Sequence, residues 1–269
     1  HQIFQSHIDE IAEFIDENIS GNNMNFLCIS GGGGTGSGCV ETMIPLIEQL
    51  GSPIGVIYIL PKATEDAKSK ANAVETLAKL AKMSSQDKIS TLIVVDNARI
   101  EQIYGGLSQS KFWSTANSAI VSPIHTFNSL TATSSEFQNL DPSDFGKILM
   151  ENDCSVCGVV EVENYQDETA LAEAMINSLN KNMLAEGFDL KQTRTGGVLV
   201  VGSKKALESL PQLNIDYAFS MISEQTNGAN IFQGVYAIED DADSIKIFSW
   251  FSGLGLPVGR ITSLKEESK

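Results

Sequence analysis

Residues 31–38 read GGGGTGSG, six glycines with one threonine and one serine, directly behind the apolar run Phe26-Leu27-Cys28-Ile29. Glycine loses more backbone entropy on folding than any other residue, so a folded chain concentrates it where the backbone must approach something closely. The apolar run reads as a buried strand, and CVETMIPLIEQLG (39–51) reads as a helix closed by Gly51. Strand, glycine loop and helix together present backbone N–H groups and a helix N-terminus to an anion. Thr35 and Ser37 add hydroxyl donors. A flexible linker is the competing reading, and the flanking strand and helix argue against it. The loop is shaped to hold phosphate.

Outward from the loop, HIDEIAEFIDENI (7–19) has apolar residues at helical spacing opposite an acidic face, and Gly21-Asn22-Asn23 stops it. IGVIYIL (54–60) and TLIVVD (91–96) are further buried strands, separated by the helix ATEDAKSKANAVETLAKLAKM (63–83). Strands alternating with helices predict a doubly wound α/β domain on a parallel, Rossmann-like sheet, with its sites at the carboxyl ends of the strands. Residues 109–137 read as a long connecting helix that Pro123 should kink or interrupt. In the second half, CGVVEVE, GGVLVVGS, NIFQGVYAIED and DSIKIFSWFSGLG read as strands, with one clear helix at ETALAEAMINSLNKNML (168–184). That pattern predicts an α+β domain with a mixed sheet. The expected divisions are 1–108, the connecting helix 109–137, 138–258, and a polar tail 259–269 that frays.

The 269 residues carry 34 acids against 18 bases, a net charge of −16, which repels phosphate backbones and anionic lipid. Direct nucleic-acid binding and membrane attachment are therefore not expected, although a basic partner could bridge the chain to DNA. No signal peptide or membrane-length apolar run is present, and the cysteine usage suits a reducing cytoplasm. Cys154 and Cys157 have metal or redox spacing without a second pair, and read as small apolar side chains of a buried strand. His1, His7 and His125 share no spacing with a nucleophile or ligand. No protein-ligated metal site is expected. The chain opens on His1 without an initiator methionine, so a preceding segment is expected.

A phosphate-binding Walker loop needs a lysine after its last glycines, and none is present. Gly31-x-Gly33-x-x-Gly36 formally matches the dinucleotide fingerprint, but the next strand ends in Pro61-Lys62 where that fold wants an acid for the ribose. GGGGTGSG instead resembles the signature loop of the tubulin/FtsZ superfamily. ILPKATED (59–66) is similar to the segment that follows in that family, where a proline precedes a ribose-contacting acid; Pro61 and Glu65 match. VVDNARI (94–100) resembles the segment whose asparagine reads guanine, here Asn97. The family stacks an aromatic on the base and reads guanine's edge four residues later, which Trp113 and Asn117 match. Asn139-Leu140-Asp141-x-x-Asp144 resembles the loop one subunit inserts into its neighbour's nucleotide site. The resemblance covers roughly residues 1–258.

Each residue has a plainer reading when taken singly. Glu65 suits a first-turn acid favoured by the helix dipole, Trp113 a core aromatic, and Asp141-Pro142 a helix cap with proline at the first position. Their joint occurrence in the family's order favours the site. Two departures stand out. Lys68-Ser69-Lys70 replaces the family's arginine cluster, and the family's first strand and its own glycine turn are absent from these residues.

The resemblance implies a GTPase that polymerises head to tail, with GTP or GDP and Mg²⁺ bound by Gly32, Gly33, Gly34, Thr35, Gly36, Ser37 and Gly38. Asn139, Asp141 and Asp144 would act on the neighbouring subunit's GTP. Within the superfamily the replaced arginines, Trp113 and Asn117 point to the TubZ-like branch, which segregates plasmid or phage DNA through a DNA-binding adaptor. A divergent FtsZ-type division GTPase is the alternative, followed by a phage spindle protein. From a different class, a non-polymerising nucleotide-binding enzyme or regulator on the same fold also fits the glycine loop, but not the NLDPSD loop.

Overall fold

The computed structural model describes residues 2–180, 184–240 and 242–269; of Asn180 only the backbone is included, and His1 lies outside the described residues. Its helices are α1 (Gln2–Ser6), α2 (Ile8–Ile19), α3 (Gly34–Glu48), α4 (Ala67–Ser84), α5 (Asn97–Tyr104), α6 (Gln109–Thr131), α7 (Pro142–Leu149), α8 (Glu168–Asn180), α9 (Lys204–Ser209), α10 (Gln212–Gln225) and α11 (Val258–Glu267). The strands are β1 (Asn25–Ser30), β2 (Ile54–Leu60), β3 (Thr91–Asp96), β4 (Cys154–Val162), β5 (Thr195–Ser203), β6 (Asn230–Ile238) and β7 (Ile245–Leu254). They form one seven-stranded sheet in the order β1-β2-β3-β4-β7-β5-β6. β1 to β4 run parallel, and β7 lies antiparallel between β4 and β5.

The expected parallel half and mixed half are thus regions of one sheet, joined where Leu92 and Ile93 of β3 meet Cys154 and Ser155 of β4. Every residue of β3 and of β5 is buried, as continuous apolar strands covered on both faces should be. Cys154 and Cys157 are buried in β4, and burial pushes both thiols up, Cys157 to about 12. They behave as the apolar side chains the sequence suggested.

Several features differ from the sequence reading. The connecting helix expected over 109–137 ends at Thr131. β1, read as a buried strand, buries Asn25 and Ile29 but exposes Phe26 and Cys28, as a strand at the edge of the sheet can. α6 runs without interruption through Pro123, which is buried; tertiary packing holds the helix where one missing N–H would weaken it. α10 was not anticipated, although Ile215, Ala218 and Ile222 supply its buried face at helical spacing. The stretch after Gly259, expected to fray, is α11: Leu264 is fully buried and the helix packs on α4. The end of the helix expected over 168–184 falls partly on residues 181–183, outside the described residues; the part described, α8, ends at Asn180.

Candidate nucleotide site and acidic loop

Three parallel strands end side by side. Ser30 pairs with Ile59, and Leu60 with Asp96, so the loops after β1, β2 and β3 leave from one carboxyl edge. Ligands of open α/β sheets bind at that edge.

The glycine loop is shorter than its composition suggests. α3 opens at Gly34 with Gly33 at its N-cap, so Thr35, Gly36, Ser37 and Gly38 are already helical. Gly33 has no side chain to cap the helix, which leaves the first-turn N–H groups for an anion. The Ser37 hydroxyl donates to the Gly33 carbonyl at 2.7 Å, turned onto its own helix. The positive-φ glycines described are Gly21, Gly51, Gly187, Gly228 and Gly253, all outside this loop. Glycine is required here by contact instead. A Cβ on Gly31 would collide with the Tyr58 phenol, and one on Gly36 with the Ser30 carbonyl. At Gly33 and Gly34 a Cβ would meet nothing within 4 Å. Those two positions face open space.

Glu65 and Pro61 converge on this loop. A Cβ built on Gly32 would lie 2.9 Å from Glu65 Oε2 and 3.7 Å from Pro61 Cβ. The other Glu65 oxygen accepts the Lys62 backbone N–H at 2.9 Å, which folds residues 61–65 into a turn. Asn72, which no sequence signal marked, donates from Nδ2 to the Gly32 carbonyl at 3.3 Å. Asp66 caps α4 through the Ser69 N–H.

Lys62 ties this loop to the start of α6. Its ammonium lies 4.7 Å from the Trp113 ring centroid, 5.5 Å from that of Phe112 and 3.1 Å from Glu101. Trp113 is 44% exposed with Phe112 edge-on behind it, so its ring is a surface platform rather than core. Asn117 lies one turn further along α6, exposed. Asn97 is the first residue of α5, which Asp96 caps through the Ala98 N–H at 3.1 Å.

Asn139, Asp141 and Asp144 lie elsewhere. The 23 residues of α6 span about 34 Å at 1.5 Å each, and the acidic loop follows its far end. Phe127 of α6, Phe145 of α7 and Trp250 of β7 pack with centroids 5.3–5.9 Å apart and fix that end on the sheet. Leu140 is buried, and its backbone N–H donates to the Tyr236 hydroxyl at 2.9 Å. The Asn139 side chain accepts the Ser135 N–H at 2.7 Å. Asp144 pairs with Lys147 at 2.7 Å. Asp141 occupies the N-cap of α7, but its exposed carboxylate makes no capping bond. It is a carboxylate without a structural task in this loop.

The Tubulin/FtsZ family GTPase-domain profile matches residues 1–105. The profile of the Tubulin/FtsZ-like protein TubZ-like, C-terminal domain, matches residues 126–265, just over half of the chain. The chain belongs to the TubZ-like branch of the tubulin/FtsZ family. Tubulin-like protein TubZ of Bacillus cereus is 21% identical over 99% of this chain and 66% of its own length. Cell division protein FtsZ 1 of Thermococcus kodakarensis is 23% identical over 94% of this chain and 64% of its own length. The chain thus spans somewhat less than two thirds of the length of these relatives. Among solved structures, GDP-form protofilaments of Bacillus thuringiensis serovar israelensis TubZ superpose with a TM-score of 0.86 at 20% identity, over 98% of this chain and 74% of theirs. The TubZ fold is thereby shown.

α11 closes the carboxyl edge through charge. Arg260 pairs with Asp96 at 2.7 Å and with Glu267 at 3.1 Å, and Glu267 pairs with Lys70 at 2.9 Å. The hydrogen bond from Lys70, with the Arg260 charge behind it, holds the Glu267 carboxyl below the ordinary carboxylate range. A carboxylate with a depressed folded pKa stabilises the fold above its unfolded value and loses that contribution as pH falls through the folded one. Acidification from about pH 5 downward should therefore loosen α11, and Glu267→Gln should flatten the acid limb of the stability curve. Melting temperatures measured against pH check this; superimposable acid limbs for the two proteins would contradict it. Among the described residues no helix is long and apolar enough to cross a membrane, and no group of three or more His, Cys, Asp or Glu side chains could hold a metal.

Proposed function

We propose that the protein is a GTPase that assembles head to tail into filaments and hydrolyses each GTP at the junction between subunits. The observation that carries this reading is the placement of its two sets of residues. The phosphate loop, Glu65, Asn97 and Trp113 gather at the carboxyl edge, whereas Asp141 and Asp144 stand beyond the opposite end of a helix about 34 Å long. No carboxylate of that loop can reach a nucleotide in its own subunit. One in the next subunit of a head-to-tail stack can.

In the proposed division of labour, residues 1–108 bind the nucleotide, the connecting segment 109–137, helical over Gln109–Thr131, spans the subunit, and residues 138–258 present the acidic loop. The free first-turn N–H groups of α3, from Gly34 to Gly36, and the Thr35 hydroxyl hold the phosphates, while the Ser37 N–H already donates to the Gly33 carbonyl. Glu65 and Pro61 take the ribose, Trp113 stacks on the base, and Asn97 and Asn117 read guanine's N–H edge. Mg²⁺, where bound, would neutralise the charge of the phosphates held by this loop. Carboxylates of the neighbour's Asp141 and Asp144, with Asn139 beside them, position the attacking water. Filament-forming TubZ structures among the fold's neighbours support self-assembly.

The cellular role that fits best is segregation of plasmid or phage DNA in the cytoplasm. The C-terminal half matches the TubZ-like profile, and a surface of net charge −16 calls for a basic DNA-binding adaptor rather than direct contact. An FtsZ-type division role is the second reading, favoured by the similarity to FtsZ 1 proteins. GTP-dependent pelleting of the full-length protein, with and without adaptor-bound DNA, separates these roles from a solitary enzyme, which would stay in the supernatant.

Trp113→Ala should weaken GTP binding by about 1–3 kcal/mol, the range for a base on an aromatic platform. It should leave the melting temperature nearly unchanged, since the ring is 44% exposed. ATP should compete poorly against wild type, because adenine lacks the N–H edge that an asparagine oxygen accepts. Competition titration measures both effects, and equal affinity for ATP and GTP would defeat the base assignment.

A further inference from the structure

The ion pairs of α11 reach both segments that carry the base and ribose contacts. Asp96 is 4% exposed, and its carboxylate does two things at once. Its Oδ1 accepts the Ala98 N–H at 3.1 Å, capping the helix whose first residue is Asn97. The same carboxylate takes the Arg260 guanidinium in a two-pronged pair, Nε to Oδ2 at 2.7 Å and Nη2 to Oδ1 at 3.4 Å. The third Arg260 nitrogen donates to Glu267 at 3.1 Å. Glu267 in turn pairs with Lys70 at 2.9 Å, and Lys70 Nζ donates to the Ala63 carbonyl at 2.8 Å. Ala63 lies inside the turn formed by Pro61 to Glu65.

A buried carboxylate without its cation turns toward water, because an uncompensated buried charge is strongly unfavourable. If Asp96 turns, the cap of α5 is lost and the first turn frees Asn97. Only a planar guanidinium can address both Asp96 oxygens and Glu267 together, which is why lysine would not replace Arg260 fully.

We propose that α11 is a positioning element of the nucleotide site: Arg260 orients Asn97 through Asp96, and Glu267 steadies the Pro61–Glu65 turn through Lys70. This rests on the reading of Asn97 as a guanine contact and of Glu65 as a ribose contact. Neither Arg260 nor Glu267 touches the nucleotide in this scheme. Their effect is on selectivity more than on total affinity.

The test compares GTP with inosine triphosphate, which lacks guanine's exocyclic amine, and with 2′- and 3′-deoxy-GTP, on the full-length protein. Arg260→Gln should narrow the preference for GTP over inosine triphosphate by about five- to tenfold, the scale of one hydrogen bond. Affinity for inosine triphosphate itself should barely move. Arg260→Lys should recover part of the preference. Glu267→Gln, milder because the carboxyl is more exposed, should narrow the preference for GTP over a deoxy analogue. If Arg260→Gln folds poorly, the lysine and Glu267 variants carry the comparison alone. A merely structural role predicts parallel loss for all nucleotides, and that result, or unchanged preferences, overturns the proposal. Wild type that binds GTP and inosine triphosphate equally would instead remove the guanine reading itself, and the role of Arg260 with it.

Discussion

Replacing Gly36 by valine should abolish measurable GTP binding, and replacing it by alanine should weaken binding by about 10²- to 10⁴-fold, two or more charged hydrogen bonds' worth. The cause is local and steric. A Cβ there collides with the Ser30 carbonyl oxygen and sits 3.1 Å from its carbonyl carbon, both rigid backbone at the end of β1. The strand cannot yield, so the N-terminus of α3 must lift away, and its free N–H groups leave the phosphates they would hold. Overpacking of this kind also costs about 1–3 kcal/mol of stability, so loss of binding by itself would not prove a site. Gly34→Ala supplies the discriminating control. Its Cβ meets nothing within 4 Å, so the empty protein should melt at the wild-type temperature. If nucleotide fills that open space, affinity should nevertheless fall. Isothermal titration and thermal melts on the pair decide the matter: Gly34→Ala binding GTP as wild type does would mean the phosphates lie somewhere else.

That loop also shows what a sequence reveals and what it withholds. The glycine run between an apolar strand and an amphipathic helix is a local pattern, and it puts the candidate phosphate loop between β1 and α3, where the structure has it. The reason for the glycines was less visible. Left-handed backbone and close approach are equally good local explanations, and only the packing of Tyr58 on Gly31 and of Ser30 on Gly36 selects the second. The onset of α3 was misplaced for a related reason. Glycines are poor helix formers, so nothing local says that the helix begins at Gly34. α11 was harder still. Its sequence is polar, and its anchors are Asp96 and Lys70, the former 164 residues from Arg260. Ion pairs at that separation leave no periodic trace. Asn72 and Tyr236 escaped for the same reason: each is an ordinary residue whose structural task is set by the backbone it touches.

Asp141 and Asp144 should each prove necessary for hydrolysis and dispensable for binding, and this is the prediction on which a filament differs from a solitary enzyme. Removing a carboxylate that orients water is typically worth about 10²- to 10⁴-fold in rate. Fold damage should not obscure the result at position 141. The Asp141 side chain makes no capping bond; the first turn of α7 is held by its backbone carbonyl, which accepts from Asp144 and Phe145. Alanine there removes only a charge near a helix N-terminus, worth about 0.3–1 kcal/mol. Asp144 is less clean, because its loss frees Lys147, so Asp144→Asn is the better variant. Both proteins should bind GTP with wild-type affinity, pellet with it, and hold their filaments long after wild type has disassembled. Turnover should rise steeply with wild-type concentration, because the site is completed only when a neighbour docks, and stay flat in the variants. Mixing separates the two roles of each subunit. A Gly36→Val protein cannot hold GTP but still presents intact acids, whereas an Asp141→Ala protein holds GTP and presents none. Where the two meet with the acids facing the nucleotide, hydrolysis should return, although neither protein hydrolyses alone. Undiminished turnover in both aspartate variants, or wild-type turnover independent of concentration, would place the catalytic water under the control of residues within one subunit.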